Sequence, residues 1–248
     1  MNILVCISSV PDTTSKINFI ENNTLFDTNG IQFVINPYDE FGLTKAVMMK
    51  ESHGARITVV TVGDISVEPV IRKALAIGAD DAVRINSVPR DSYSTADAIF
   101  SYAKDKNFDI IIAGRESTDY NGGAVPGMIS EMMSIPFINA CIGLDITGDK
   151  AEVVREVDGG KETISSSLPL IIGGQKGLVN ENDLLIPNMR GIMQSRTKPL
   201  EVIEPHESEE RVSSISFNKP EKKDECKLIN DQDVSVLVDL LQNEAKVI

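Results

Sequence analysis

Gly114, Arg115, Glu116, Ser117, Thr118, Asp119, Tyr120, Asn121, Gly122 and Gly123 make up the stretch of this chain best suited to hold a ligand. On one side stands the apolar run Ile110-Ile111-Ile112-Ala113, which reads as a buried strand. On the other, Val125, Met128, Ile129, Met132 and Met133 recur at helical spacing and predict a helix beginning around Gly122 or Gly123. A loop that leaves a parallel strand at its carboxyl end and opens a helix gathers unpaired amide N–H groups. It also meets the positive end of the helix dipole, and the two together favour an anion, most often a phosphate. Gly122 and Gly123 let backbone approach a ligand with no side chain in the way. An ordinary strand-to-helix turn reads the same way, and the segment carries neither a Walker loop nor GxGxxG.

Bond-making chemistry finds little support elsewhere. Ser8, Ser9 and Ser117 have no evident histidine partner, because His53 falls at a helix end and His206 in an acidic stretch; both histidines read as solvated. Glu116 and Asp119 share the loop without the spacing of an acid/base pair, and Asp80-Asp81 marks a helix-to-strand turn. Cys6, Cys141 and Cys226 are odd in number and form no CxxC, so they read as free thiols in a reducing compartment. With two histidines and no Trp, a metal site is not expected. Binding without catalysis fits these absences.

The elements that must position the loop alternate regularly over the first 140 residues. Strands are predicted at residues 2–7, 56–62, 82–85 and 110–113, and helices at 39–50, 67–76 (ended by Gly78) and 95–104. Strands joined by crossover helices make a parallel sheet covered on both faces, with ligands beyond the strands' carboxyl ends where strand order reverses. Those ends are residues 6–13, 61–64 and 114–123; Asn36-Pro37-Tyr38-Asp39 opens a helix nearby, with Pro37 suited to its first turn. Between them, β-like pieces around residues 17–20 and 31–35, punctuated by Asn22-Asn23 and Asn29-Gly30, suggest an inserted hairpin.

After residue 140 the pattern changes. Residues 151–157 and 162–166 flank Asp158-Gly159-Gly160, a hairpin signal, and residues 168–172 form another apolar strand. Residues 176–200 read as irregular. Residues 204–225 read as a polar tether, followed by an amphipathic helix at 234–241 capped by Asp231 or Asp233. That helix is expected to dock on another subunit or to pack back on its own domain.

The chain has 248 residues, 42 % of them hydrophobic and 25 % charged, which is ordinary for a soluble globular protein. No apolar run approaches the roughly 20 residues that span a bilayer. The opening residues carry no basic export region, so membrane insertion and secretion are not expected and the cytoplasm is. A formal charge of −13 disfavours nucleic acid. The fold class read from these patterns is α/β: a doubly wound, mostly parallel, Rossmann-like sheet with a β-hairpin extension and a tethered C-terminal helix. The expected division is residues 1–200, an α/β nucleotide-binding domain that includes a loop at about 176–195, and residues 201–248, an arm and helix.

Six segments in order resemble the beta subunit of electron-transfer flavoproteins: VCISSVPDT (5–13), INPYDEFGLTKAVMMKE (35–51), IRKALAIGAD (71–80), DIIIAGRESTDYNGG (109–123), VVREVDGGKETISSSLPLII (153–172) and IPNMRGIMQSRTKPLEVI (186–203). The likeness covers nearly the whole chain. It implies an obligate heterodimer with an alpha subunit that carries most of one FAD, while beta buries a structural AMP. It further implies electron transfer from flavin dehydrogenases, such as the acyl-CoA dehydrogenases of fatty acid beta-oxidation, to a quinone oxidoreductase or similar acceptor. Carried over by position, the AMP contacts fall at Cys6, at Asn36, Pro37, Tyr38 and Asp39, at Val62, and along the loop from Gly114 through Gly123 to Ala124 and Val125.

The resemblance assigns Asn36 and the backbone at Val62 to the adenosine end and the amides of Asn121 to Val125 to the phosphate. It implies Thr13 and Tyr38 beside the flavin and Arg155 and Glu156 near the alpha subunit. A dehydrogenase-docking loop is implied at residues 182–193, with Leu184 or Leu185 as apolar anchor and Ile186 beside them. Ser8 and Ser9 replace a basic residue usual in the family, Ala124 replaces a Gln, and only Asp119 remains of an acidic run. Pro126 fits the first helical position, so the backbone cradle survives these departures. A bifurcating branch holds a second FAD where the AMP lies; Val10-Pro11-Asp12-Thr13 resembles that branch, whereas Tyr120-Asn121 departs from its loop, so AMP is the expected nucleotide. Two other readings compete: an adenine-nucleotide hydrolase or adenylating protein, for which no phosphate loop or acid/base site is found, and a stand-alone nucleotide-binding stress protein, against which the long tether argues.

Overall fold

The computed structural model describes residues 1–206, 208–221 and 226–248. The first half of the chain forms β1 (Asn2–Cys6), β2 (Ser9–Pro11), β3 (Phe19–Ile20), β4 (Leu25–Phe26), β5 (Phe33–Ile35), α1 (Pro37–His53) and β6 (Arg56–Val62). There follow α2 (Glu68–Ile77), β7 (Asp81–Ile85), α3 (Ser92–Ala103), β8 (Ile110–Gly114) and α4 (Val125–Met133). The rest comprises β9 (Phe137–Thr147), β10 (Lys150–Val157), β11 (Gly160–Ser167), β12 (Leu170–Gly174), α5 (Met189–Ser195), β13 (Leu200–Ile203) and α6 (Val234–Asp239).

One nine-stranded sheet runs β11-β10-β9-β12-β8-β1-β6-β7-β13. From β9 to β13 its neighbours are parallel, and β10 and β11 extend it as an antiparallel arm. Central strands are buried on both faces: Ile3, Leu4, Ile110, Ile111, Ile112, Ile171 and Ile172 are all at most 1 % exposed. Each such side chain contributes about 1.5–3 kcal/mol by leaving water. Helices α1 and α2 cover one face and α3 and α4 the other. The chain winds from β1 out to β6 and β7, then returns to β8 on the other side of β1. Strand order therefore reverses between β1 and β8, and a crevice opens beyond Cys6 and Gly114.

The doubly wound architecture, the arm and the C-terminal helix agree with the sequence reading, and local details differ. Helix α4 begins at Val125, two or three residues later than expected, because residues 117–122 first close on themselves: Ser117 N donates to Gly122 O at 3.0 Å. Pro126 is accordingly the second helical residue. Only half of the expected hairpin exists as such. Strands β3 and β4 pair across Asn22-Asn23, both in left-handed backbone, whereas β5 pairs with β2. Strand β9 was not expected. Its buried residues Ile138, Cys141 and Leu144 fall three apart because the register slips near Ile142, so no period-two signal survives.

The stretch expected to be irregular contains α5, whose first turn is closed by Asn188 Oδ1 accepting from Gly191 N at 2.8 Å. Strand β13 then pairs with β7 and carries the sheet across residue 200.

The tether, of which residues 207 and 222–225 lie outside the described residues, is fastened to the body. Asp91 caps α3 through Ser94 N, and its other oxygen accepts from Arg211 N and Val212 N at 2.8 and 3.0 Å. Burial opposes the charge, but Ser94 first and then these two amides hold the carboxyl down at about 2. The Arg211 guanidinium lies 3.4 Å above the Tyr93 ring, and Phe217 stacks on Phe19 at 5.0 Å. Helix α6 keeps Val234, Val236, Leu237 and Val238 between 41 and 63 % exposed. Among the described residues no helix is long and apolar enough to cross a membrane.

Candidate functional site

Asn36 and Pro37 start α1 directly against the crevice. Asn36 occupies the N-cap position, yet its side chain bonds elsewhere: Nδ2 donates to Glu116 O at 2.9 Å and Oδ1 accepts from Thr118 N at 3.2 Å. One buried amide thus braces the 115–123 loop from the α1 side. Three residues on, Asp39 is 3 % exposed and holds both walls of the crevice. Its Oδ2 accepts from Ser8 N at 2.7 Å, and its Oδ1 from Gly114 N at 2.8 Å. Burial pushes the Asp39 carboxyl up to about 7, while the Ser8 amide, Asn36 and the Gly114 amide pull it down. Ser8 is locked twice, since Asn36 N also donates to Ser8 O at 3.0 Å.

Glycine at position 114 is a requirement of this closeness. A Cβ there would stand 2.3 Å from Asp39 Oδ1 and 2.8 Å from Tyr38 Cβ. Beyond Gly114 the loop turns through Asn121 in left-handed backbone and reaches α4. The amides of Gly123, Ala124 and Val125 have no intrachain acceptor among the described residues. With the positive end of α4 behind them, they suit an anionic group. Cys6 and Val62, each 8 % exposed, floor the crevice at the ends of β1 and β6. Burial, with the nearby Asp39 charge, pushes the Cys6 thiol far up, so it is a neutral packing group and not a nucleophile.

Of the expected site residues, Cys6, Asn36, Pro37, Asp39, Gly114, Glu116 and Thr118 are thus brought together directly. Tyr38 is half-buried at the rim, and Thr13 is exposed in a loop that Asp12 shapes by accepting from Thr14 N at 2.8 Å. Asp119 and Tyr120 form an exposed tip, with Tyr120 68 % accessible. Arg155 pairs with Glu162 at 2.6 Å on the arm, and Glu156 accepts from Gln175. Gln175 carries no signal in the sequence, where it is merely the residue after an apolar strand.

Leu184 packs against the core, Leu185 is 37 % exposed and Ile186 83 %, with Met189 and Met193 exposed beyond it. Leu185 N donates to Thr44 Oγ1 at 3.3 Å, tying this segment to α1.

At the opposite end of the strands a polar hollow is lined by Arg56, Asp81, Tyr102 and Lys106. Its charges are occupied with one another, Arg56 with Asp81 at 2.7 Å and Lys106 over the Tyr102 ring at 4.5 Å. Among the described residues no group of three or more His, Cys, Asp or Glu side chains could hold a metal ion.

The model of the Electron transfer flavoprotein domain family matches residues 24–208. The chain is similar to "Electron transfer flavoprotein subunit beta" of Bacillus subtilis (strain 168), 37 % identical with all of both chains covered. It is similar to the protein of the same name from Syntrophomonas wolfei, 32 % identical over all of this chain and 98 % of the relative. A mitochondrial relative from Oryza sativa subsp. japonica, with the same subunit name, is 28 % identical over both full lengths.

Proposed function

Because the chain belongs to the electron transfer flavoprotein beta-subunit family, we propose that it binds a structural AMP in the β1–β8 crevice and helps an alpha subunit enclose FAD. The single observation that carries this reading is the Asp39 clamp, which fixes Ser8 and Gly114 at the mouth of the sheet. It fixes the two strand ends from which the first loop and the amide-rich loop depart. The residues fit an adenylate: a narrow crevice floored by Cys6 and Val62 for adenosine, and the amides of Gly123, Ala124 and Val125 for a phosphate.

FAD, when bound at the subunit interface, supplies the redox chemistry. This chain's own residues position and shield. Tyr38 at the rim offers an aromatic face and Thr13 an exposed hydroxyl on the side where β2 and β5 project. Arg155 and Glu156 on the arm face the alpha subunit, and the exposed apolar side of α6 docks there too. Ile186, with Met189 and Met193, forms the apolar anchor for flavin dehydrogenases such as acyl-CoA dehydrogenases. A quinone oxidoreductase or similar acceptor takes the electrons onward. The free cysteines suit a reducing cytoplasm.

Co-expression with the alpha subunit tests the reading. A stable heterodimer with one flavin by absorbance is expected. Two flavins would assign the chain to the bifurcating branch, and a chain that stays alone would overturn the proposal.

A further inference from the structure

Gln175, the residue after β12, is 3 % exposed and lies between two opposite charges. Its Oε1 accepts from Arg115 Nη1 at 2.7 Å, and its Nε2 donates to Glu156 Oε2 at 2.5 Å. Backbone bonds set the three in place. Arg115 N donates to Gly174 O at 2.8 Å, and Gln175 N donates to Cys141 O at 3.1 Å. The charges permit one orientation of the amide, carbonyl to guanidinium and NH2 to carboxylate. Arg115 and Glu156 are themselves partly exposed, and Arg115 Nε lies 3.9 Å from Glu116 Oε2, so an apolar side chain at 175 would break both bonds and release each end to water and to its neighbours.

The two ends belong to different surfaces. Arg115 opens the ligand loop; Glu156 stands on β10, one residue from the exposed Arg155–Glu162 pair of the arm. We propose that Gln175 is a positioning residue that couples the ligand loop to the arm, so that adenylate binding and alpha-subunit docking strengthen each other. This rests on the adenylate and alpha-subunit reading above. An adenylate that orders the loop fixes Arg115, Arg115 fixes the Gln175 amide, and the amide holds the Glu156 carboxylate in one position for the partner. Docking at Glu156 steadies Arg115 by the same route, as linkage requires.

The test measures the heterodimer dissociation constant in nucleotide-free buffer and in saturating AMP. The unaltered chain should pair with alpha at least about fivefold more tightly with AMP, the lower bound of ordinary coupling. Gln175→Leu should bring that ratio close to one. The double change Gln175→Glu with Glu156→Gln keeps the net charge and reverses the relay: a carboxylate at 175 accepts from both Arg115 and the new amide. It should restore the ratio, which a residue that merely fills space would not do. A Gln175→Leu heterodimer with the full ratio, or a double variant with none, would overturn the coupling. Indifference of the unaltered heterodimer to AMP would also overturn it while leaving the site reading intact. Failure of the unaltered chain to bind AMP at all would instead strike the site reading itself.

Discussion

Asp39 Oδ1 accepts the Gly114 amide proton at 2.8 Å, joining residues 75 apart in sequence at the point where strand order reverses. The other carboxylate oxygen does the same for Ser8, so one buried side chain sets the width of the crevice. Asp39→Ala leaves two buried amides without an acceptor, each worth about 1–3 kcal/mol. Urea unfolding near pH 4, where this carboxyl still makes its full contribution, should show a loss of at least about 2 kcal/mol. An unchanged midpoint would mean that the clamp holds nothing.

The same carboxyl gives a pH signature. Burial raises it from 3.8 to about 7, so the folded chain binds this proton more tightly than the unfolded one. Its contribution is greatest below pH 4 and is lost as pH rises through about 7. Asp39→Asn should remove that slope, so the difference in stability between variant and parent should change between pH 4 and 7 and stay level above it. A constant difference over the whole range would contradict the assignment.

Gly114→Ala places a methyl group 2.3 Å from Asp39 Oδ1, on a helix end that cannot retreat. Overpacking of this kind costs about 1–3 kcal/mol, and bound nucleotide should fall with it. Gly160→Ala, where a Cβ meets nothing within 4 Å, is the control and should stay within about 0.5 kcal/mol of the parent.

Ile186→Ser should slow electron acceptance at limiting dehydrogenase, raising the apparent KM by about tenfold, and release no nucleotide. Leu184→Ala, on a side chain packed against the core, should instead lower stability by about 1–3 kcal/mol. Equal effects of the two on partner affinity would contradict the placement of the anchor.

Deleting residues 234–248 should leave thermal unfolding of the remaining chain nearly unchanged, because Val234, Val236, Leu237 and Val238 are exposed here. Heterodimer affinity should drop at least tenfold, readable by analytical ultracentrifugation.

Much of this was legible in the sequence for physical reasons. Strands β1 and β8 are buried on both faces and so read as apolar runs, β6 reads as a β-branched run in which Thr58 and Thr61 are also buried, and Asp158-Gly159 announces its own tight turn. Pro37 marked where the helix starts, and the glycine-bounded loop marked where unpaired amides gather. Strand β9 stayed hidden because the slip near Ile142 destroys its alternation, and α5 because seven residues flanked by Pro187 and interrupted by Gly191 carry no period. The clamp and the relay could not be read at all. Asp39 and Gly114, or Arg115 and Gln175 60 residues apart, become neighbours only through sheet order.

The most direct measurement is the identity and amount of nucleotide released when the purified heterodimer is denatured. One AMP per beta chain is predicted for the unaltered protein, and clearly less than one for Gly114→Ala. A correctly folded chain that releases no adenylate, or a Gly114→Ala chain that retains a full complement, would contradict the account.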